Sequence, residues 1–412
     1  TATQRVSYAD LGTNYNGYER PMEWLDRGVV ALKSDDGIFV SWRLLASEYG
    51  KDISFNLYRN GEKINDQPIT TVTNFADAAG KPGDKYAVET ILNGVSSMSE
   101  ETAAWENNYM AIPLQYPGDQ PDIAGKVMAT YSANDAGVAD VDGDGEYEIV
   151  VKWYPSNQFD SGTAGVLSSP TFFDCYKLDG TVLWRLAMGY NVSSGAHYSQ
   201  FLFYDFDMDG KAEFLIKGAD GTRTYAPNAE GKIDMNDEST IIDVVGDPSL
   251  EGTNVILTGS GIGHINGGNE YMVAIDGLTG EVIDYCDYAF PVGNVRDWGD
   301  TSYNRSDRYN CAFGMLPDPA TSEEGAVRPT ALMNRGYYAR TTVVAYQLID
   351  DTLQEVWTFD SAPLGSSYGG KGNHNNASGD VDADGYDELV LGSIALDHDG
   401  SILWIKNGKN GM

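Results

Sequence analysis

Cysteine and basic residues are both scarce in this chain of 412 residues. The three cysteines, Cys175, Cys286 and Cys311, lie far apart, which excludes a disulfide framework and a cysteine-based zinc site. Basic residues number 27 against 61 acidic ones, and the net charge of −34 argues against nucleic acid and anionic membrane surfaces as partners. The excess of carboxylates favours cations instead.

Long apolar runs and several common catalytic motifs are missing as well. Because no run of about 18 apolar residues occurs, the sequence predicts no membrane span. No G-x-S-x-G elbow, phosphate-binding loop or dinucleotide fingerprint is found, whereas a carboxylate-pair glycosidase stays open because acids are abundant. The chain starts with TATQRVSY, without Met or an apolar signal core. We interpret it as a secreted, periplasmic or cell-surface product whose targeting segment has been removed.

Short β-strands dominate residues 1–107. Segments 37–45, 53–61 and 84–94 alternate apolar and polar residues and end at Asn-Gly, Gly or Asp, and RNGEK and LNGVS carry hairpin turn signals. Trp42 in an early strand and Tyr86 in a later one are typical of a small β-sandwich. This part of the chain is therefore predicted to be a separate β domain.

A repeating unit fills residues 108–412. DVDGDGEYEIVVKW at 140–153, DFDMDGKAEFLIKG at 205–218 and DVDADGYDELVLGS at 380–393 each join an acidic loop to an apolar strand. Related hairpins follow at 175–186, 273–285 and 395–405. Loop, strand, hairpin and strand units of this kind predict the blades of an all-β, multi-bladed β-propeller. At about 50 residues a blade, the segment would hold five or six blades.

The three acidic loops are predicted calcium sites. Each places carboxylates at positions 1, 3, 5 and 9, a glycine at position 6 and a main-chain carbonyl at position 7. Calcium takes 6 to 8 oxygens at about 2.3–2.6 Å, and it relieves the repulsion among carboxylates crowded into one turn. The closing acid at position 9 and the strand that follows exclude an EF-hand. The predicted ligand residues are Asp140, Asp142, Asp144, Glu146 and Glu148; Asp205, Asp207, Asp209, Lys211 and Glu213; and Asp380, Asp382, Asp384, Tyr386 and Glu388.

Two alternatives to a functional calcium site stay open. The loops could be solvated acidic turns without an ion. If calcium binds, most of the ions would be structural, fixing a turn onto the strand that follows it.

Histidine and arginine supply the candidates for chemistry. Of the four histidines, His197, His264 and His398 are interpreted as hydrogen-bonded structural residues, whereas His374 lies in the polar, glycine-rich loop GGKGNHNNASG. Arginines gather among tyrosines in two segments, WGDTSYNRSDRYN at 298–310 and MNRGYYART at 333–341. These arginines either bind a polyanion or pair with the abundant carboxylates.

The motifs at 140–157, 194–213, 298–309, 334–340 and 371–388 resemble, in this order, the rhamnogalacturonan lyases of polysaccharide lyase family 11. Residues 1–107 are similar to that family's fibronectin-type-III-like domain. The resemblance implies an eight-bladed propeller that binds several calcium ions and cleaves the rhamnose–galacturonate backbone of pectin by β-elimination. It leaves endo and exo action open. Because the chain stops at WIKNGKNGM, soon after the third loop, we expect a form shorter than the family's.

The resemblance also implies roles for individual residues. His374 is the candidate base, Lys371 is its rival, and Arg335 or Arg340 is expected on the galacturonate carboxylate. The substrate would be rhamnogalacturonan I, and the protein is expected to act as a monomer. The alternative function is a non-catalytic, calcium-dependent glycan-binding or adhesion propeller. Further candidate sugar contacts are Asn157, Asn373, Tyr337 and Arg305.

Overall fold

The computed structural model describes residues 4–7, 19–158, 165–299, 303 and 305–406. In these residues the chain is all β, as predicted, with thirty strands and four short 3₁₀ helices. None of these helices is long or apolar enough to cross a membrane. The helices are Ala46–Glu48, Glu238–Thr240, Pro248–Leu250 and Val295–Trp298.

The chain divides into two compact units. The smaller, N-terminal unit runs to Pro113 and includes Gly143–Glu146, and the larger one contains Leu114–Asp142 and the residues from Tyr147 onward. The first ten strands belong to the N-terminal unit: β1 Gln4–Ser7, β2 Glu19–Met22, β3 Val30–Ser34, β4 Gly37–Ser41, β5 Ile53–Arg59, β6 Glu62–Lys63, β7 Asn74–Asp77, β8 Lys85–Leu92, β9 Val95–Met98 and β10 Thr102–Ala103.

Two antiparallel sheets share one apolar core in the N-terminal unit. One sheet has the order β3-β4-β7, and the other has the order β10-β8-β5-β6, with β9 paired to β8. Trp42, at the end of the first sheet, meets Phe55 of the second edge to face, with the ring centroids 5.5 Å apart. The buried Tyr86 donates its hydroxyl to Asp77 at 2.8 Å, so its polar end is satisfied inside the core.

The larger unit contains the other twenty strands. They are β11 Gln120–Pro121, β12 Met128–Ala129, β13 Tyr131–Ala139, β14 Glu148–Pro155, β15 Phe172–Tyr176, β16 Val182–Ala187, β17 Phe201–Tyr204, β18 Glu213–Ala219, β19 Arg223–Tyr225, β20 Ile241–Val244, β21 Glu270–Asp276, β22 Val282–Asp287, β23 Tyr309–Pro317, β24 Val327–Arg335, β25 Thr342–Ile349, β26 Thr352–Asp360, β27 Ala377–Gly379, β28 Glu388–Leu391, β29 Ile394–Leu396 and β30 Ile402–Ile405.

Four antiparallel sheets make up most of the larger unit. Sheet I has the order β13-β14-β15-β16-β19-β20, sheet II is β17-β18-β21-β22, sheet III is β23-β24-β25-β26, and sheet IV is β27-β28-β29-β30. The described residues thus hold four sheets of this kind, fewer than the five or six expected from length. The hairpin β19–β20 extends sheet I instead of starting a new sheet, and long connections before β21 and β23 use further residues.

Neighbouring sheets pack against each other through separate apolar clusters. Between sheets I and II, the rings of Phe173 and Phe214 lie 5.4 Å apart, and the indole of Trp184 donates to the carbonyl of Gly277 at 2.8 Å. Similar clusters join sheets II and III and sheets III and IV. Burying such a large apolar side chain contributes about 1.5–3 kcal/mol, so each sheet depends on its neighbours for stability.

Candidate functional site

The three acidic loops have the same position in their sheets and the same backbone. Each connects the first strand of its sheet to the second, in sheets I, II and IV, and the glutamate at position 9 is the first residue of that second strand. The position-6 glycines have left-handed φ values of 91°, 96° and 100° for Gly145, Gly210 and Gly385. Only glycine adopts this conformation without strain, so the turn requires it.

Position 4 is also left-handed in every loop, which the sequence pattern did not reveal. The φ values are 77°, 68° and 67° for Gly143, Met208 and Ala383. Two of these residues carry a side chain in a conformation that L-residues seldom adopt. The surrounding contacts of the loop must therefore hold the turn.

Those contacts are main-chain donors bound by the carboxylates. In each loop the position-9 glutamate accepts the N–H of position 2, and the distances are 3.0 Å for Val141 to Glu148, 2.7 Å for Phe206 to Glu213 and 2.7 Å for Val381 to Glu388. In the second and third loops, the position-1 aspartate accepts the N–H of the position-6 glycine at 3.0 Å. The carboxylates are thus held facing one another.

The side-chain oxygens converge as the spacing predicted, although incompletely. The carboxylate groups whose oxygens lie within 4.8 Å of one another are Asp140, Asp142 and Glu148; Asp205, Asp207, Asp209 and Glu213; and Asp380, Asp382 and Glu388. Asp144 does not join the first group; its carboxylate instead accepts the N–H of Glu146 at 2.8 Å. At position 7, Lys211 and Tyr386 likewise donate their N–H groups to the position-5 aspartates, at 2.8 and 2.9 Å.

A bound cation suits the electrostatics of these loops. Burial raises the pKa of Asp205 to about 7, and the neighbouring charge of Asp207 adds to the effect. Burial also raises the pKa of Glu388 to about 7, with Asp382 and Asp384 as further causes. Glu388 is fully buried, and its Oε1 has no hydrogen-bond partner in the part of the chain that the structure describes. Such crowded, buried oxygens are the donor set of a hard divalent cation, so the residues fit a metal ion.

A fourth group, which sequence spacing did not indicate, lies beside the third loop. Asp384, Glu388, Asp397 and His398 place their ligand atoms within 4.8 Å of one another, with Nδ1 of His398 2.7 Å from Asp397 and 3.1 Å from Asp384. Asp397 and His398 come from the turn between β29 and β30, nine and ten residues after Glu388. In sheet I the corresponding turn supplies Lys177, whose ammonium lies 2.6 Å from Asp142.

His374 lies on the connection between β26 and β27, six residues before the third loop. Its side chain is exposed, its Nε2 contacts the hydroxyl of Tyr338, and its ring packs at 5.1 Å from that of Tyr337. Partial desolvation, together with the positive charge of Arg308 and a smaller effect of His197, lowers the pKa of His374 below its ordinary value. The imidazole is therefore neutral near pH 7 and able to accept a proton.

Two of the predicted residues, Arg305 and Arg340, line a cavity of about 380 Å³ together with Tyr338. The Arg305 guanidinium lies 5.8 Å from the centre of the Tyr338 ring. Arg340 binds Asp360 through two hydrogen bonds, of 3.0 and 2.7 Å, and stacks 4.7 Å above Trp298. Because Tyr338 also contacts His374, the cavity and the histidine belong to one surface.

Three of the predicted catalytic or sugar-binding residues lie in the interior. Arg335 is fully buried and bonded to Glu270 at 2.7 Å. Lys371 is 4% exposed and donates its ammonium to the carbonyl of Lys406 at 2.8 Å. Tyr337 is 3% exposed beneath His374. Burial places these three side chains beneath the surface that bears His374, and not on it.

The two candidate asparagines differ in the same way. The side chain of Asn157 is engaged with Ser169, whose N–H donates to it at 3.0 Å, so Asn157 fixes a loop. Asn373 is exposed beside His374, and its carbonyl accepts the side-chain amide of Asn310 at 3.0 Å. Of the predicted residues, His374, Asn373, Arg305 and Arg340 therefore remain on the accessible face.

The sequence did not place His197, Arg308 and Tyr338 near His374, although Arg308 and Tyr338 stand in the two segments where arginines gather among tyrosines. A signal existed for the first of them, since both His197 and His374 precede an acidic loop by less than ten residues. These two loops belong to sheets II and IV, so only the fold brings the two histidines close.

Comparison with known proteins identifies the family of this all-β chain. The model of the "Rhamnogalacturonan lyase family 11, C-terminal domain" matches residues 109–411, and that of the "Rhamnogalacturonan I lyases beta-sheet domain" matches residues 20–105. The chain belongs to rhamnogalacturonan lyase family 11.

Several relatives are closely similar in sequence and structure. The chain is 42% identical over 386 residues to rhamnogalacturonan endolyase YesW of Bacillus subtilis (strain 168), which covers 93% of this chain and 57% of YesW. It is 40% identical over 390 residues to rhamnogalacturonan exolyase YesX of the same organism, covering 94% and 58%. The solved structure of a Bacillus licheniformis rhamnogalacturonan lyase matches with a TM-score of 0.81 at 43% identity, over 94% of this chain and 61% of that one. The chain thus spans less than two thirds of the length of these relatives.

Proposed function

We propose that this protein cleaves the rhamnose–galacturonate backbone of rhamnogalacturonan I by β-elimination. The observation that carries the proposal is the exposed, neutral imidazole of His374 on one surface with two arginines, in a chain of lyase family 11. Relatives of both endo and exo action share about 40% identity, so identity alone favours neither mode. A polymer of this kind does not cross membranes, which supports action outside the cytoplasm.

The proposed chemistry starts with a proton transfer. His374 accepts the proton on the carbon next to the galacturonate carboxylate, the electron pair forms a carbon–carbon double bond, and the bond to the 4-linked oxygen breaks. The leaving oxygen then takes up a proton. Negative charge builds up on the carboxylate, where Arg305 and Arg340 are the cationic side chains of the same surface. Tyr338, in contact with Nε2 of His374, orients the imidazole.

We further propose calcium as the metal of the acidic loops. All-oxygen donor sets with aspartates, a glutamate and a glycine turn suit calcium better than softer metals. When bound, the ion neutralises the carboxylates, and near the substrate it adds positive charge that stabilises a developing carbanion. The loop that begins at Asp380 would then hold the His374 segment in place.

The fold-level proposal follows the family. The four sheets are proposed to be blades of a β-propeller with eight blades in family members, preceded by a fibronectin-type-III-like domain that ends near residue 107. The order of strands within each sheet and the apolar clusters between successive sheets support blades. The protein is proposed to act as a monomer.

Product formation tests the function. Rhamnogalacturonan I incubated with the protein and calcium should yield sugars with an unsaturated galacturonate end, which absorb ultraviolet light. Polygalacturonate, which lacks rhamnose, serves as the matched control substrate and should stay intact. If the protein binds rhamnogalacturonan I in a calcium-dependent manner but releases no unsaturated product, the non-catalytic glycan-binding function replaces the lyase.

A further inference from the structure

Two buried lysines occupy equivalent positions in sheets I and II. Lys152 on β14 and Lys217 on β18 each come four residues after the glutamate that closes an acidic loop, and their exposed fractions are 0% and 6%. A buried ammonium is unfavourable unless it is paired or fully hydrogen-bonded. The environments of the two lysines can therefore be compared directly.

Lys217 has the expected compensation, and Lys152 does not. The ammonium of Lys217 lies 2.8 Å from the carboxylate of Glu270 and 4.8 Å from the centre of the Tyr309 ring. The ammonium of Lys152 donates to a neutral group, the carbonyl of Ala196, at 3.3 Å, and no carboxylate within the described residues forms an ion pair with it. A buried ammonium without a carboxylate partner breaks the usual rule that buried charges are paired, and exceptions to such rules concentrate at functional sites.

The backbone opposite Lys152 is irregular. Strands β13 and β14 pair residue by residue except between Ala133 and Ala136, where Asn134 and Asp135 together oppose Lys152. This β-bulge lies on the edge strand of sheet I. Bulges at sheet edges redirect side chains and recur next to active sites. The bulge places Asp135 in a cleft of about 550 Å³ that also contains Ala196, His197 and Gln200.

The turn at residues 195–200 connects Lys152 to the candidate base. The carbonyl of Ala196 accepts both Lys152 and the side-chain amide of Gln200, each at 3.3 Å. The next carbonyl, that of His197, accepts the N–H of Tyr309 at 3.2 Å. The residue after Tyr309, Asn310, donates its side-chain amide to the carbonyl of Asn373 at 3.0 Å, directly before His374. A contact that moves this turn therefore acts on the segment that bears His374.

We propose that Lys152 is a positioning residue, whose buried ammonium fixes the turn at Ala196 and, through residues 309 and 310, the loop that bears His374. The proposal deepens the lyase function and rests on it for the activity measurement. It assigns to Lys152 no contact with substrate. The buried, unpaired lysine would then serve the arrangement of the active surface and not the stability of sheet I.

The charge of Lys152 should be sensitive to alkaline pH. Burial lowers the pKa of Lys152 to about 8, against an opposing effect of Asp135 on β13. On its other sides it faces Phe173 of β15, which does not titrate, and the turn that bears His197. The ammonium is present below about pH 8 and is lost above it, so the turn should loosen as the pH rises through this value.

The test compares Lys152→Met with Lys217→Met. Lys152→Met keeps the length and apolar stem of the side chain, and we expect a cooperative thermal transition close to that of the wild type. We expect kcat on rhamnogalacturonan I to fall by about 10²-fold, because small misplacements near a reacting group have effects of this size. The wild-type fall in kcat above about pH 8 should be absent in this variant. Lys217→Met removes a paired charge and should chiefly lower the melting temperature.

A second measurement does not depend on activity. The chain has four histidines, so their imidazole nitrogen resonances can be assigned one at a time by His→Gln variants. In Lys152→Met the resonances of His197 should shift, whereas those of His398 should not. Unchanged His197 resonances together with an unchanged alkaline limb of kcat would overturn the positioning role. Shifted resonances in a protein that forms no unsaturated product would leave the positioning intact and contradict the lyase function instead.

Discussion

His374 illustrates how one residue acquires a chemical environment that its sequence neighbours do not supply. The glycine-rich loop leaves the side chain exposed, while Tyr338, Arg308 and His197 come from two other sheets or their connections. The nearby guanidinium of Arg308 favours the neutral imidazole, which is the form that accepts a proton. A histidine with an ordinary pKa of about 6.5 needs little adjustment to act as a base near neutrality.

The first prediction concerns this side chain. His374→Ala should lower kcat on rhamnogalacturonan I by about 10²-fold or more, while the circular dichroism spectrum and the calcium affinity stay unchanged. Asn375→Ala, an exposed change in the same loop, is the matched control and should keep most of the activity. If His374→Ala keeps near-normal turnover while Arg340→Ala loses it, His374 is not the base. Arg340 would then be essential for the reaction, and His374 would have a structural role.

Arg335 and Lys371 show where residue-level prediction fails. Both stand in polar segments that suggest exposure, yet both are buried, because their partners are distant in sequence: Glu270 for Arg335 and the carbonyl of Lys406 for Lys371. A single sequence contains no measure of such long-range pairing. For the arginines, the sequence left open ion pairing with the abundant carboxylates. Arg335 forms such a pair with Glu270, and Arg340 forms one with Asp360.

At the scale of the element, the acidic loop is the part of the molecule that sequence predicts best. Its glycine turn, its carboxylate order and the strand that follows all lie within nine residues, so local chemistry determines them. Sheet III shows the limit of this local prediction, because its connection between β23 and β24 contains no acidic loop of this kind. There Asp318, the first residue after β23, is bonded to the guanidinium of Arg328 at 3.1 Å. A fixed side-chain cation thus occupies the environment that a metal ion is proposed to fill elsewhere.

The second prediction compares the first and third acidic loops, which are expected to differ in their effects on stability and on kcat. Asp142→Ala should lower the melting temperature with little effect on kcat, since the first loop pairs with Lys177 and lies in sheet I. Asp382→Ala should lower kcat more than stability, because the third loop starts six residues after His374. Calorimetry and product formation measured on both variants decide the question. If both variants lose stability alone, the bound ions are structural only.

The third prediction follows from the pKa values of the loop carboxylates. In the cation-free protein, burial raises the pKa of Asp205 and of Glu388 to about 7, above their values in the unfolded chain. Between about pH 4 and pH 7 the folded state therefore holds protons that the unfolded chain has released, and its stability falls as the pH rises. Calcium requires the ionised carboxylates and binds more tightly over the same range.

The difference in melting temperature between calcium-loaded and EGTA-treated protein should therefore widen from about pH 5 to about pH 7. Differential scanning calorimetry at a series of pH values measures it. Barium or magnesium in place of calcium tests whether the effect belongs to the ion and not to ionic strength. A difference that stays constant across this range would mean that the raised carboxylates are not the ligands.

At the scale of the whole molecule, charge and architecture are coupled. The net charge of −34 is concentrated partly in loops at the same edge of three sheets, between the first and second strands. The apolar clusters between sheets hold the larger unit together, while the carboxylates in the connections oppose compaction through mutual repulsion. The all-β class follows from sequence periodicity, but the number of sheets does not, since a hairpin such as β19–β20 can extend an existing sheet.

The last prediction addresses this balance. A ligand that binds the native state alone raises the free energy of unfolding by about 2.7 kcal/mol per site at a hundredfold excess over Kd, so several loops acting together should stabilise the fold strongly. Thorough EGTA treatment should lower the melting temperature clearly. Because part of that loss is repulsion among exposed charges, about 0.5 M NaCl should restore some of the stability of the EGTA-treated protein and add little to the calcium-loaded form.

The Lys33→Gln variant, an exposed change in the N-terminal unit, should respond to both treatments like the wild type. An unchanged melting temperature after EGTA would contradict the calcium assignment, and a full loss that NaCl does not relieve would place the stabilisation in direct coordination and not in the relief of charge repulsion.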